Sequence, residues 1–544
     1  MRWYKESIVY QIYPRSFNDF NGDGIGDIRG IIEKLDYLKG LGVNTVWLSP
    51  IYDSPLDDMG YDISNYYDIH KDYGTLDDFK EMLSKMHERG IKLIMDLVVN
   101  HTSDEHPWFL EAKKSVDSPY HEYYIFRKGK NGKKPNNWKS FFGGSAWEYN
   151  EETDEYFLHL FSKRQPDLNW ENPKVREEVK NILRFWLDLG VDGFRCDVIN
   201  LLSKKEGLPN AKGLPILGAR GIYIDGPKMH DYLQELKRDV FSKYDMFTVG
   251  ECVLINSKTA LSYIEEGIDE LNMVFHFEHM NADCFYTKWL PRKFKLRRLK
   301  KPLSKWQYDL GDKGWNSLFL ENHDQPRSID RFGSLEYRNE SAKMLATYIF
   351  SQKGTPYIYQ GEEIGMTNAH YTTIEQYKDV ETLNMYKTLR RFFSEKKTMK
   401  MVQRASRDNS RTPMQWNQNK NAGFSEGEPW LEVNPNYKDI NVSDSIKDED
   451  SILNYYKKYI ALRKKHPVFV FGDYREHYPK SNKLAYYERN YQGKKLLVIC
   501  NFTSKELKFN PIYDLSKYKL ILNNYQEDEK HLLPYQAKIY LGES

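Results

Sequence analysis

Eight short runs rich in β-branched and aromatic residues recur along the chain, and their number constrains the fold more than any other feature. They span residues 8–13, 43–48, 92–98, 193–198, 247–250, 273–277, 315–320 and 355–359. Segments with helical periodicity, such as 28–41 and 76–89, lie between them. Strands that alternate with helices pair in parallel, because each helix carries the chain back across the sheet face. Eight such units predict an α/β chain closed into a (β/α)8 barrel.

The remaining segments fit additions to that barrel. Between the third and fourth runs, residues 102–170 are polar and aromatic-rich, and far too long for an ordinary strand-to-helix loop. They are read as a small inserted domain. After about residue 470 the helical pattern gives way to short alternating stretches, 484–489, 495–501 and 517–522, spaced like an antiparallel sheet. The expected division is therefore a barrel from 1–101 and 171–469, an insert at 102–170, and a C-terminal, sandwich-like β domain at 470–544. A chain of 544 residues exceeds what one hydrophobic core usually serves, in keeping with that division.

Charge excludes several partners. Lys plus Arg total 80 against 78 Asp plus Glu, so no global field draws in nucleic acid or an anionic membrane. The 41 Tyr and 12 Trp supply flat faces with a polar edge, suited to packing on sugar rings. Cys196, Cys252, Cys284 and Cys500 form no CxxC pair, which argues against a disulfide scaffold or a zinc site. No run approaches the ~20 apolar residues of a membrane span, and the N-terminal residues lack a signal-peptide core. The expectation is a soluble cytoplasmic protein, monomeric or weakly oligomeric, acting on a neutral small molecule.

In a barrel of this kind, chemistry sits at the C-terminal ends of the strands. Four runs end in polar residues: Asp96-Leu-Val-Val-Asn100-His101, Gly193-Phe-Arg195-Cys-Asp197-Val198, Thr248-Val-Gly-Glu251, and Asn322-His323-Asp324. A single Asp after a strand commonly caps the next helix. Three carboxylates, two histidines and an arginine on one face suit glycoside hydrolysis instead, where one carboxylate attacks the anomeric carbon and a protonated one serves the leaving oxygen. Arg195, two residues from Asp197 on the same strand face, is expected to keep Asp197 ionised as nucleophile. Glu251 follows an apolar run with no adjacent cation, as a proton donor requires. Asp324 would bind sugar hydroxyls, with His101 and His323 as hydroxyl donors.

These four segments resemble the signature regions of glycoside hydrolase family 13, the α-amylase family. The resemblance extends to Gln11-Ile-Tyr-Pro-Arg-Ser-Phe17, Gln165-Pro-Asp-Leu-Asn-Trp170 and Arg407-Asp-Asn-Ser-Arg-Thr-Pro-Met-Gln-Trp416, so it covers nearly the whole chain. Within the family it is nearest to the oligo-1,6-glucosidase and dextran glucosidase branch. That resemblance implies an exo-acting pocket, with retention through a glucosyl enzyme at Asp197. It implies that Asp62 of Gly60-Tyr61-Asp62 pairs with Arg411 behind the non-reducing glucose, and that Tyr61 is the stacking platform. Phe142 and Phe161 are candidates to line the pocket, or else core of the insert. Val198, directly after the nucleophile, accompanies α-1,6 cleavage in similar enzymes, where Thr or Ala accompanies α-1,4; its shape would meet the leaving sugar.

Asp19-Phe-Asn21-Gly-Asp23-Gly-Ile25-Gly-Asp27 sets oxygen ligands at alternate positions with glycines between, like the first part of an EF-hand loop. It lacks a Glu at the twelfth position, where Gly30 stands. Similar glucosidases bind Ca²⁺ or Mg²⁺ structurally in this loop, with Ile25 giving its backbone carbonyl; the alternative is an Asx-rich turn. Other readings bear on substrate. Residues 288–301 hold eight Lys or Arg and no acid, which reads as a solvated face. Sucrose isomerases carry an Arg-Leu-Asp-Arg-Asp segment near here, and the acids are absent from 296–301. Trehalose-6-phosphate hydrolases, α-1,4-glucosidases and sucrose-cleaving enzymes are the nearer alternatives. Non-catalytic transporter partners resemble this family too, but they typically lose catalytic acids that this chain keeps.

Overall fold

A computed structural model describes residues 3–214, 216–526 and 531–543. The eight runs become strands β1 (Val9–Ile12), β2 (Thr45–Leu48), β3 (Lys92–Leu97), β4 (Gly193–Cys196), β5 (Phe247–Glu251), β6 (Met273–Phe275), β7 (Ser317–Leu318) and β8 (Thr355–Tyr359). They form one sheet in the order β6-β5-β4-β3-β2-β1-β8-β7, the cyclic succession of a (β/α)8 barrel. The ladders β3 to β4, β4 to β5, β5 to β6, β1 to β8 and β7 to β8 are parallel. Residues of β1, β2, β4 and β8 are buried throughout. Parallel strands covered on both faces therefore read as continuous apolar runs, which is why they could be picked out of the sequence.

The connecting helices show why these residues fold as they do. Pro173–Asp188 starts on the Asn172 side chain, which accepts a hydrogen bond from the Lys174 amide, with Pro173 in the first turn. It buries Val175, Val179, Ile182, Leu183 and Trp186, one stripe at helical spacing. The single helix expected over 28–41 is broken in two, Ile28–Glu33 and Leu35–Leu41, at Lys34. Residues 102–170 contain a three-stranded antiparallel sheet of Phe126–Arg127, Glu155–Leu158 and Trp147–Asn150. The C-terminal part forms a five-stranded antiparallel sheet in the order Arg475–His477, Leu484–Tyr491, Lys494–Asn501, Ala537–Glu543, Lys519–Asn523.

The chain divides into two compact units. One comprises Met1–Val46, Glu88–Ile91 and Phe277–Ser544, the other Trp47–His87 and Lys92–His276. Among the described residues no helix is long and apolar enough to cross a membrane.

Candidate active site

In the unit holding β3 to β6, the chemistry is organised around Arg195. Gly193 opens β4 against β5 so closely that an added Cβ would stand 2.1 Å from the Phe247 carbonyl oxygen. That close approach sets the register in which Arg195 lies beside Asp96 on β3 and Val249 on β5. The guanidinium is fully buried. Its Nη1 donates to Asp96 Oδ1 and to Asp197 Oδ1, each at 2.5 Å, and its Nη2 donates to Glu251 Oε2. Trp47 and Tyr61 rings face it at 5.3 and 5.7 Å.

One expectation is corrected here. Glu251 lacks a cation on its own strand but receives one from β4, because neighbours across a parallel sheet are invisible to a reading of one strand at a time. Asp197 has its guanidinium, yet burial still pushes its pKa up to about 6, against the lowering pull of Arg195. A hydrogen bond with Glu251 also lowers it.

Asp96 opens one of the segments quoted from the sequence but was given no role there. It is buried, pushed up to about 6 by desolvation, and held by Trp47 Nε1 at 2.8 Å as well as by Arg195. A lone acid inside an otherwise apolar strand was the available signal. His101 is buried and its pKa lowered by that burial. Its Nε2 lies 3.0 Å from the Tyr61 carbonyl and 3.2 Å from Gln165 Nε2. Phe161 packs on His101 at 5.2 Å and on Phe142 at 5.6 Å. The rings of Phe141 and Phe161 are stacked at 5.1 Å. Val198 is buried in the same apolar cluster as Trp138 and Leu201, with Phe161 packed against it. Its backbone takes φ 36° and ψ 40°. A β-branched residue in the left-handed region is strained, and such strain concentrates at functional positions.

Asp62 is fully buried and accepts hydrogen bonds from the Asp57 and Asp58 amides at 2.8 and 3.0 Å. Burial pushes it up to about 7.

In the other unit the focus is Asp324. Arg411 Nη2 donates to its Oδ1 at 2.8 Å, Arg407 Nη1 to the same oxygen at 3.1 Å, and His323 Nε2 lies 3.2 Å from Oδ2. Burial alone would raise this acid, but His323, Arg407, Arg411 and Lys288 together hold it well below the usual carboxylate range. Gln11 Nε2 donates to His323 Nδ1 at 2.7 Å, which leaves the Nε2 proton for Asp324. Tyr13 stacks on the His323 ring at 6.1 Å. Arg407 is itself neutralised by Asp379 at 2.6 Å, and Lys288 by Glu381 at 2.8 Å. Sequence reasoning missed Arg407, Asp379 and Lys288; the repeated Arg of Arg407-Asp-Asn-Ser-Arg411 was the trace of the first.

The loop at 19–27 supplies only oxygen donors, the chemistry of a hard cation. Here those oxygens meet the loop's own amides. Asp19 accepts from Gly22 and Gly24, Asn21 from Asp23, Asp23 from Ile25, and Asp27 from Phe20 and Gly30. Among the described residues no three His, Cys, Asp or Glu are gathered as a metal cluster.

With this geometry in hand, comparison with known proteins is decisive. The family model "Alpha amylase, catalytic domain" matches residues 11–472. The chain belongs to the alpha-amylase family. It is a glycoside hydrolase. Within the family, it is 55% identical to an oligo-1,6-glucosidase of Parageobacillus thermoglucosidasius, over 99% of this chain and 98% of that one. A crystal structure of Bacillus licheniformis trehalose-6-phosphate hydrolase superposes with a TM-score of 0.94 at 48% identity, covering 99% of each chain. The isomaltulose synthase of Protaminobacter rubrum superposes with a TM-score of 0.95 at 40% identity, again over 99% of each.

Proposed function

We propose that this glycoside hydrolase is a retaining, exo-acting α-glucosidase that releases glucose from the non-reducing end of α-1,6-linked isomalto-oligosaccharides. The observation that supports this reading is the buried Arg195 fork, which holds Asp197 and Glu251, supplied by adjacent strands, on one guanidinium. Asp197 attacks the anomeric carbon while Glu251 protonates the departing oxygen, giving a glucosyl ester. Glu251, now a base, takes a proton from water as it attacks that ester, and glucose leaves with its α configuration retained. Asp324, kept ionised by its cations, accepts hydrogen bonds from ring hydroxyls, assisted by His101 and His323. Tyr61, Phe142 and Phe161 supply apolar walls, and Asp62 and Arg411 hold the closed end. The domain division at 1–101 with 171–469, 102–170 and 470–544 belongs to the same reading. Four buried, unpaired cysteines support placement in the cytoplasm.

The test is the ratio of kcat/KM for isomaltose over maltose, expected well above one. Val198→Thr is expected to lower that ratio by about tenfold, since a change of shape and polarity against the leaving sugar is worth roughly 1–3 kcal/mol. A ratio below one in the wild type would leave the chemistry intact and sink the linkage assignment. Trehalose 6-phosphate and sucrose, assayed alongside, are expected to be poor substrates.

The loop at 19–27 is proposed as the seat of a structural Ca²⁺, with Mg²⁺ as the alternative, held by Asp19, Asn21, Asp23, Asp27 and the Ile25 carbonyl. Burial already raises the Asp27 carboxyl, a cost that a cation would offset. Chelation with EDTA is expected to lower Tm and excess CaCl₂ to restore it, as binding to the folded state alone requires. An unchanged Tm in both would leave the loop a simple turn.

A further inference from the structure

We propose that a second site, separate from the glucosidase chemistry, binds a small anion carrying two or more phosphate groups. It is a cavity of about 750 Å³ lined by Arg292, Lys295, Arg297, Arg298, Lys301 and Lys305. Glu278 is the one acid among the lining residues, and its Oε2 is taken by Trp306 Nε1 at 2.6 Å. None of the six cations makes an ion pair among the described residues. The Arg292 side chain donates only to the Asn281 carbonyl, with its guanidinium 5.2 Å from the Phe285 ring and its Nε buried without a hydrogen-bond partner. The Arg298 side chain donates only to the Lys293 carbonyl.

Two buried lysines of the chain are treated differently. Lys300, one residue from Lys301 on the helix Leu296–Leu310, is buried and paired with Glu476 at 3.1 Å. Lys180 has three acids within 3.0 Å. The sequence has 78 acidic residues for its 80 basic ones, so counter-charges exist and this cavity excludes them. The same helix also opens here: its first turn holds no acid, its cap residue Lys295 makes no side-chain cap, and Asn482 Oδ1 takes only the Arg297 amide. The positive end of a four-turn helix thus adds to the six side chains.

The chemistry selects the ligand. Guanidinium groups fork onto phosphate oxygens in pairs, and lysines add point charges. A cavity of this volume is in the range that holds a small organic ligand, and a single phosphate would not reach cations on all its walls. A neutral sugar gains nothing from the charge. The six cations gather around one concave site rather than along an extended stripe, which favours a compact oligophosphate over a long polyanion.

The test is calorimetric titration of the full chain with sodium pyrophosphate, at fixed ionic strength, beside orthophosphate and sodium chloride. Saturable binding of one pyrophosphate is expected, tighter than orthophosphate. In Arg297→Ala/Lys301→Ala the Kd is expected to weaken by at least about tenfold, with isomaltose turnover unchanged. Lys305→Gln is the milder variant if the pair fails to fold, with a smaller weakening in the same direction. No binding by the wild type, equal affinity in the variants, or heats reproduced by chloride would each overturn the proposal. Binding of duplex DNA or heparin without pyrophosphate would do the same.

Discussion

Asp197→Asn is expected to lower kcat/KM on isomaltose by roughly 10⁴-fold or more, the scale on which removal of a covalent nucleophile acts in other hydrolases. The substitution changes charge while keeping shape. Arg195 still holds Asp96 at 2.5 Å, so the frame of the site survives and an unfolding midpoint close to wild type is expected. The pH profile of the wild type should tell the same story. Burial sets the pKa of Asp197 at about 6, so kcat/KM is expected to fall as pH drops below that value and the nucleophile takes up a proton. Glu251→Gln serves as the control. It should slow isomaltose hydrolysis by about 10²–10⁴-fold yet spare aryl α-glucosides, whose leaving groups need no proton. If Asp197→Asn retained more than a hundredth of the wild-type rate, the assignment of the nucleophile would be lost.

These expectations rest on parts of the site that differed in how far the sequence disclosed them. The barrel strands were legible because strands buried on both faces are written as uninterrupted apolar runs; 355–359 coincides with β8 to the residue. Asp197 directly follows β4 and Glu251 closes β5, since a strand end is a local property. What stayed hidden was the neighbour supplied from elsewhere. Arg195 was assigned to Asp197 alone, because alternation along one strand says which face a side chain takes but not what the adjacent strand offers. Arg407 and Lys288 reach Asp324 from sequence distances of 83 and 36 residues, which no local pattern records. The strain at Val198 was equally invisible, since a β-branched residue gives no warning of a left-handed backbone. The cation loop is ambiguous for a different reason: the oxygens whose spacing suits a cation also suit the loop's own amides.

Arg195→Leu is expected to cost more stability than any other single change in the site, and the size of that cost should depend on pH. The side chain is fully buried and holds three carboxyl groups, Asp96, Asp197 and Glu251. Removing one partner of a buried charge cluster strands the others, at about 3–5 kcal/mol. Leucine retains apolar contact with Trp47 and Tyr61, so the loss is mainly electrostatic. Burial already raises Asp96 and Asp197 to about 6 while Arg195 opposes it. Without Arg195 both rise further. An acid whose pKa is raised by folding favours the folded state at low pH, and that benefit is lost as pH rises through its folded pKa. The deficit of the variant is therefore expected to be largest at pH 8, where wild type and variant must both bury charge, and to shrink toward pH 4 as the carboxyls become neutral in each. Denaturant midpoints of both proteins at pH 4.5, 6 and 8 measure this directly. A deficit equal at all three would assign Arg195 a packing role, and with it the charge balance on which the nucleophile and acid assignments depend would have to be abandoned.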